Sequence, residues 1–230
     1  MYHGTPIGGP AQDAARFLFG RHALVPFTYQ INLGAVAEFC SSFVFDNGAY
    51  TLWKKGGTLD VDEYIKWCDS WSKHPGLDWC LIPDVIDGSE EENDVMLECW
   101  PKDLPGVPVW HLHESLERLT RLSHEWHRVA LGSSGAYSHP GSKKWHTRMI
   151  DVMNTLCDEL GRPRCRIHGL RMAAPKIVER YPFSSVDSTN VAVNSNATRA
   201  YCPPSRWQRA VNLAWRLEFN SPPTWNLIDG

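Results

Sequence analysis

The chain has 230 residues, 43% of them hydrophobic, and a formal net charge of -3. That length supports one sizeable core, and the slight negative balance argues against a long non-specific nucleic-acid groove while leaving room for a local basic rim. Seven cysteines, at 40, 68, 80, 99, 157, 165 and 202, form neither a CxxC pair nor an even framework, and there is no leader-like start and no apolar run of about 18 residues, so reduced thiols and a cytoplasmic setting away from membranes are expected.

Tyr2-His3-Gly4-Thr5 reads as a short first strand, and Ala11 to Phe19 as a helix stopped by Gly20. His22 to Phe27 is a second apolar run. Phe43 to Asp46 is a third, which breaks at Asn47-Gly48-Ala49-Tyr50, and Leu52 to Gly57 reads as a loop rich in lysine and glycine. Asp60, with Glu63 three residues on, predicts a capped helix whose Val61, Tyr64, Ile65, Cys68 and Trp71 share one face, ended by His74-Pro75-Gly76.

Trp79 to Pro83 is the fourth strand, stopping at Asp84. Ser89 then opens an acidic turn, Glu90-Glu91-Glu92, better suited to the positive end of a helix dipole than to catalysis. Val107 to Leu112 is the fifth strand, and Ser115 caps a helix with Leu116, Leu119, Leu122 and Trp126 inward. Val129 to Leu131 is the sixth, entering Gly132-Ser133-Ser134-Gly135. A helix from Ser142 to Leu160 carries Trp145, Met149, Val152, Met153 and Leu156 on one stripe and stops at Gly161. Arg164 to His168 is the seventh strand, Pro175 to Arg180 a helix, and Ser184 to Asp187 the eighth strand. Beyond it, Val191 to Tyr201 is polar and irregular and Pro203-Pro204 punctuates. Ser205 to Leu217 then reads as a helix with Trp207, Val211 and Trp215 inward and Arg206, Arg209 and Arg216 outward, followed by an irregular tail from Asn220.

Eight strands alternating with helices or loops, each ending in a glycine or a reactive side chain, predict an α/β fold: a trimmed TIM (β/α)8-like barrel in a single domain. The barrel proper spans 1–190, and 191–230 forms a C-terminal segment packed on it. Such barrels gather function at the carboxyl ends of their strands. Strand alternation puts Val44 with Asp46, Cys80 and Ile82 with Asp84, and Val107 and Val109 with His111. Three acids, Asp46, Asp84 and Asp187, therefore converge on one rim.

Two carboxylates bracketing an anomeric carbon permit displacement through an oxocarbenium-like transition state, one attacking and the other moving a proton, while a third can read the edge of a base. Tyr50 offers a stacking face or a core ring, and the eleven tryptophans serve the core or base stacking. Gly132 gives either close backbone approach to a ligand or a plain turn. His111 and His113 form an HxH pair suited to a metal or to hydrogen bonding with substrate; with no third ligand visible, no metal and no cofactor are expected. His168 and His3 are further candidates. Lys54, Lys55, Lys143, Lys144 and Arg148 follow strand ends and either hold phosphates or are solvated loop charges.

Asp46-Asn47-Gly48-Ala49-Tyr50 resembles the aspartate-serine-glycine-glycine-aromatic motif of tRNA-guanine transglycosylases, and Pro83-Asp84, Leu131-Gly132 and Val186-Asp187 follow in the order that family uses. The runs DNGAY, PDVIDGSEEEND, PVWHLHESLERL, VALGSSGAY, GRPRCRIHGLRM and SSVDSTN are more closely similar to the phage and bacterial transglycosylase-like proteins that place 7-deazaguanine bases in DNA. The resemblance implies Asp187 as nucleophile on C1′, Asp46 as general acid/base, Tyr50 as stacking platform, and Asp84, Gly132 and His111 or His113 as purine-recognising groups. The tRNA enzymes carry a cysteine-and-histidine zinc subdomain near the carboxyl end. Here only Cys202 follows Asp187, which directs the expectation to DNA rather than tRNA. The expected activity is exchange of guanine for a 7-deazaguanine such as preQ0, in the cytoplasm, or the host cytoplasm if phage-encoded. The alternatives are the same exchange on tRNA, a hydrolytic N-glycosidase, and a non-catalytic binder.

Overall fold

The computed structural model describes residues 1–195 and 206–220. Nine strands, β1 (Tyr2–Gly4), β2 (His22–Pro26), β3 (Ser42–Asp46), β4 (Leu77–Leu81), β5 (Gly106–Val107), β6 (Val109–His111), β7 (Arg128–Gly132), β8 (Arg166–Gly169) and β9 (Ser185–Ser188), form one all-parallel sheet in the order β5-β4-β3-β2-β1-β9-β8-β7-β6. The two ends of that order are halves of one segment interrupted at Pro108. Proline has no N–H for a ladder, so the strand breaks there. The segment still bridges both neighbours, through Ile82 N–H to Val107 O at 3.0 Å and Ala130 N–H to Pro108 O at 2.9 Å. Nine strand pieces thus make eight staves of a nearly closed, trimmed TIM-like barrel.

Ten helices cover the staves among the described residues: α1 (Ala11–Leu18), α2 (Leu33–Phe39), α3 (Ala49–Lys54), α4 (Val61–Trp71), α5 (Glu90–Glu98), α6 (Leu116–Glu125), α7 (Lys143–Leu156), α8 (Pro175–Val178), α9 (Asn190–Asn194) and α10 (Arg206–Glu218). Four of the starts are fixed by side-chain caps: Asp60 accepts the Glu63 N–H, Ser89 and Glu92 form a reciprocal capping box, and Ser115 and Ser142 cap α6 and α7. Each such cap contributes about 1 kcal/mol.

Alternation along the strands sorts three apolar clusters. Tyr2, Leu24, Val44, Trp79, Leu81, Val107, Val109 and Ala130 fill the barrel interior. Val25, Phe43, Phe45, Cys80 and Ile82 face Phe17, Tyr64 and Cys68 of the helices on one side. Val129, Leu131 and Ile167 face Leu119, Leu122, Trp145 and Met149 on the other. This corrects one expectation: Cys80 and Ile82 point outward, so Asp84 does not reach the mouth by alternation. The strand ends at Leu81, and Pro83 takes the chain off the ladder and turns Asp84 inward.

Four other segments depart from the sequence reading. The lysine-rich stretch after Tyr50 is the helix α3, because Gly48 at φ 77° turns the chain directly out of β3, with Asp46 and Asn47 side chains accepting the Gly48 and Ala49 N–H groups. The helix α2 occupies a region where the periodicity suggests no element. The helix α7 ends at Leu156 rather than Leu160, because the Asp158 carboxylate captures the Leu160 and Arg162 N–H groups and competes with the last turn. In α10 the buried residues are Ala210, Ala214 and Leu217, and Trp215 is 61% exposed instead of inward. The two alanines form the face that packs on α1 and α9, which rotates the tryptophan out to lie beside Phe219. Tyr201, Cys202, Pro203-Pro204, Ser205 and the tail from 221 lie outside the described residues, as do the side chains of Arg206 and Trp207.

Candidate active site

At the carboxyl ends of the strands lies a pocket of about 170 Å³ whose wall includes Asp46, Tyr50, Asp84, His111, Gly132 and Asp187. Those six come from β3, the start of α3, the loop after β4, β6, β7 and β9, so barrel closure brings together residues far apart in the chain. Larger clefts exist, about 470 Å³ at the opposite strand ends beside Arg21 and Glu218 and about 510 Å³ beside Cys157 and Tyr181, but neither gathers acids from the strand ends.

Asp46 ends β3 with its Oδ1 accepting the Gly48 N–H at 3.0 Å. Burial pushes its carboxyl pKa up to about 7, and the charges of Asp187 and Asp84 push the same way, against the Gly48 hydrogen bond and the Arg171 charge. Nearby carboxylates disfavour the charged form of one another, which adds to the desolvation of Asp46. A Cβ on Gly48 would meet Thr28 Cγ2 at 2.7 Å, so the turn that presents Asp46 and Tyr50 requires glycine on both steric and conformational grounds.

Asn47 ties this turn to the next stave: its buried amide donates to Ile82 O at 3.0 Å and to Asp84 Oδ1 at 2.8 Å. Asp84 Oδ2 lies 2.8 Å from His111 Nε2, both side chains being buried. The His111 N–H donates to Glu114 Oε2, which also accepts from Arg118 at 2.7 Å, while Asn93 donates to Glu114 Oε1 at 2.9 Å. This buried network fixes the strand end that carries His111. A Cβ on Gly132 would stand 2.6 Å from His111 Nδ1, so glycine there makes room for the imidazole as well as lining the pocket. His113 lies outside the pocket wall. Its ring stacks on His111 at 5.6 Å, and its Nδ1 is 2.8 Å from Ser134 Oγ, within the loop after β7. The two histidines thus have separate partners, and the described residues contain no cluster of three or more metal-ligating side chains.

Asp187, also buried, has its Oδ1 2.8 Å from the Arg171 N–H and 3.4 Å from His168 Nε2. His168 is wholly buried inside the barrel, with Nδ1 2.9 Å from Ser185 Oγ, and burial pulls its pKa below the ordinary histidine value. It supports Asp187 from beneath and does not line the pocket. His3 is also buried, but on the helix-facing side of β1 against Phe17, with Nε2 2.7 Å from Glu218 Oε1, where Arg21 also pairs.

The basic residues named from sequence fall outside the pocket wall. Lys54 and Lys55 end α3, and Lys143 and Lys144 open α7; all four are exposed. Arg148 has its Nε bonded to Leu112 O at 2.9 Å and also donates to Glu114 O, so its guanidinium is engaged in holding the loop after β6. Sequence reasoning missed Arg171, which lines the pocket, stands at φ 59° and lays its guanidinium 4.1 Å from the Tyr50 ring centroid. Its signal was the Gly169-Leu170-Arg171 turn directly after a strand. Ser133, Ser134 and Leu170 also line the pocket, from the loops after β7 and β8.

Comparison with known proteins gives no match: no family model fits the chain, and no curated protein or solved structure is significantly similar to it. The class of protein the fold defines is an α/β barrel with a polar pocket at the carboxyl ends of its strands.

Proposed function

We propose that this barrel exchanges guanine in DNA for a 7-deazaguanine base of the preQ0 kind by double displacement. The observation that carries the reading is the convergence of two acids from different staves, Asp46 of β3 and Asp187 of β9, on one pocket. Asp46 holds its proton up to about pH 7, whereas Asp187 has an oxygen held by the Arg171 N–H. Paired carboxylates flanking a sugar carbon serve as acid and nucleophile, and a raised pKa suits Asp46 to the acid's part.

In the first half-reaction an Asp187 oxygen bonds to C1′, the glycosidic C–N bond breaks with its electron pair leaving on the base, and Asp46 delivers the proton that makes the departing guanine neutral. In the second, the Asp46 carboxylate removes the ring N–H proton of the incoming base, whose nitrogen bonds to C1′ and releases Asp187. Protons and electrons balance without a redox partner. The Asp84 carboxylate, steadied by Asn47 and His111, offers acceptors to the N–H donors on a guanine-type edge, and Tyr50 offers a stacking face. A duplex base does not reach a recessed pocket, so the target nucleotide is flipped out or already single-stranded, at a cost of a few kcal/mol.

Incubation of the protein with DNA or tRNA and labelled 7-deazaguanine, followed by mass spectrometry of the nucleosides, tests this. Label in DNA is expected. Label in tRNA alone would move the substrate, release of guanine without incorporation would make the enzyme a hydrolase, and no change in either polymer would end the exchange reading. Among the described residues no helix is long and apolar enough to cross a membrane.

A further inference from the structure

Arg171 combines three features that no other pocket residue shares. Its backbone sits at φ 59°, a conformation that costs a non-glycine residue about 1–2 kcal/mol and persists where a site demands it. Its N–H is committed to Asp187 at 2.8 Å, and its guanidinium covers a face of Tyr50, a ring that is 37% exposed. The guanidinium also draws the Tyr50 phenol below its ordinary pKa by hydrogen bonding and charge. Arg21, Arg118, Arg121 and Arg162 pair with carboxylates, but among the described residues no carboxylate forms an ion pair with Arg171.

A side chain rooted beside the acid that faces C1′ is within reach of the phosphates on that same sugar. A planar guanidinium matches a phosphate oxygen pair with two parallel hydrogen bonds. It also occupies the ring face on which a base would stack, so the two contacts exchange: as the base takes the Tyr50 face, the guanidinium must leave it. We propose that Arg171 is a substrate-contacting residue that grips a phosphodiester flanking the target nucleotide and makes the site prefer a polynucleotide over a free nucleoside. The assignment rests on the function proposed above and gives Arg171 the phosphate role that the sequence suggested for Lys54, Lys55, Lys143, Lys144 and Arg148.

The test compares wild type with Arg171→Ala, Arg171→Lys and Arg171→Gly on two probes: a short guanine-containing single-stranded oligodeoxynucleotide at several salt concentrations, and free 7-deazaguanine. For Arg171→Ala the expected results are about a tenfold loss of oligonucleotide affinity, a log affinity against log salt slope shallower by about 0.7, and undiminished affinity for the free base. Arg171→Lys should keep most of the slope. Arg171→Gly, which also relaxes the backbone, should match Arg171→Ala in binding while melting at a higher temperature, separating loss of the contact from loss of the fold. An unchanged salt slope in Arg171→Ala, or equal losses on both probes, overturns the assignment. Wild type that binds the oligonucleotide with this Arg171 dependence yet incorporates no label would remove the exchange reading while leaving the phosphate contact standing; wild type that binds no oligonucleotide removes both.

Discussion

His168 Nε2 lies 3.4 Å from Asp187 Oδ1, with the imidazole wholly enclosed by the barrel. Burial lowers the His168 pKa, so near neutral pH the ring is uncharged and offers the acid beneath the pocket a dipole rather than a counter-ion. Among the described residues Asp187 has no arginine or lysine ion-pair partner, and its Oδ1 instead accepts the Arg171 N–H at 2.8 Å.

Burying neutral histidines has a consequence for stability. A histidine whose folded pKa is depressed binds fewer protons folded than unfolded, so its contribution is fully present above the unfolded value of about 6.5 and is lost as pH falls below it. His168 and His3 are both depressed by burial. From about pH 7 to pH 5 these histidines lower the melting temperature, against the opposite trend from Asp46, so wild type should lose melting temperature relative to His168→Gln as pH falls. A difference in melting temperature between wild type and His168→Gln that stays constant over this range would contradict it.

Asp46 acts in the opposite direction. Its folded pKa of about 7 lies above the unfolded carboxylate value, so the folded state retains a proton that the unfolded chain gives up. Stability should therefore decline from about pH 4 to pH 7 on this account and level off above, by on the order of 4 kcal/mol before solvent screening. Asp46→Asn should melt higher than wild type at pH 8 and about equally at pH 4, while losing about 10²–10⁴-fold in exchange rate. The descending limb near pH 7 in the wild-type rate profile should vanish with it.

If the proposed exchange holds, Asp187→Asn should fold, bind DNA and form no covalent adduct, since the amide retains the shape and lacks the nucleophilic carboxylate oxygen that the proposal requires. Denaturing electrophoresis of protein mixed with labelled oligonucleotide checks this: a shifted band for wild type and none for the variant.

Gly132→Ala places a methyl group against the His111 ring, whose Nδ1 would be 2.6 Å away. The imidazole must shift from Asp84, so a loss of about 1–3 kcal/mol in stability and a weaker affinity for 7-deazaguanine are expected from thermal melting and calorimetry. Unchanged base affinity would show that the Asp84 and His111 pair does not orient the ligand.

Behind that pair, Glu114→Gln removes the buried one of the two carboxylates that Arg118 pairs with, leaving the part-exposed Asp94 at 2.9 Å, so the loss should fall below that of a lone buried pair. Removing one member of a buried pair costs about 3–5 kcal/mol, whereas replacing both Glu114 and Arg118 with apolar residues of similar volume should recover much of it. Denaturant unfolding of the single and double variants separates these outcomes.

Much of the architecture follows from local chemistry alone. Period-two apolar runs that stop at Asp46, Gly132 and Asp187 announce strands with polar carboxyl ends, and Asp60, Ser89, Ser115 and Ser142 mark helix starts through the N–H groups they satisfy. The strand count and the parallel barrel were readable because side-chain alternation and capping depend on near neighbours in the chain. What no local pattern encodes is how closure of the barrel orients the loops. Pro83, rather than alternation, turns Asp84 inward; the fit of His111 beside Gly132 joins two staves; Ala210 and Ala214 rotate Trp215 outward; and Arg171 reaches Tyr50 across more than a hundred residues of chain. Those relationships depend on which surfaces meet after folding, where packing and the desolvation of charge between distant segments outweigh the preferences of any single stretch.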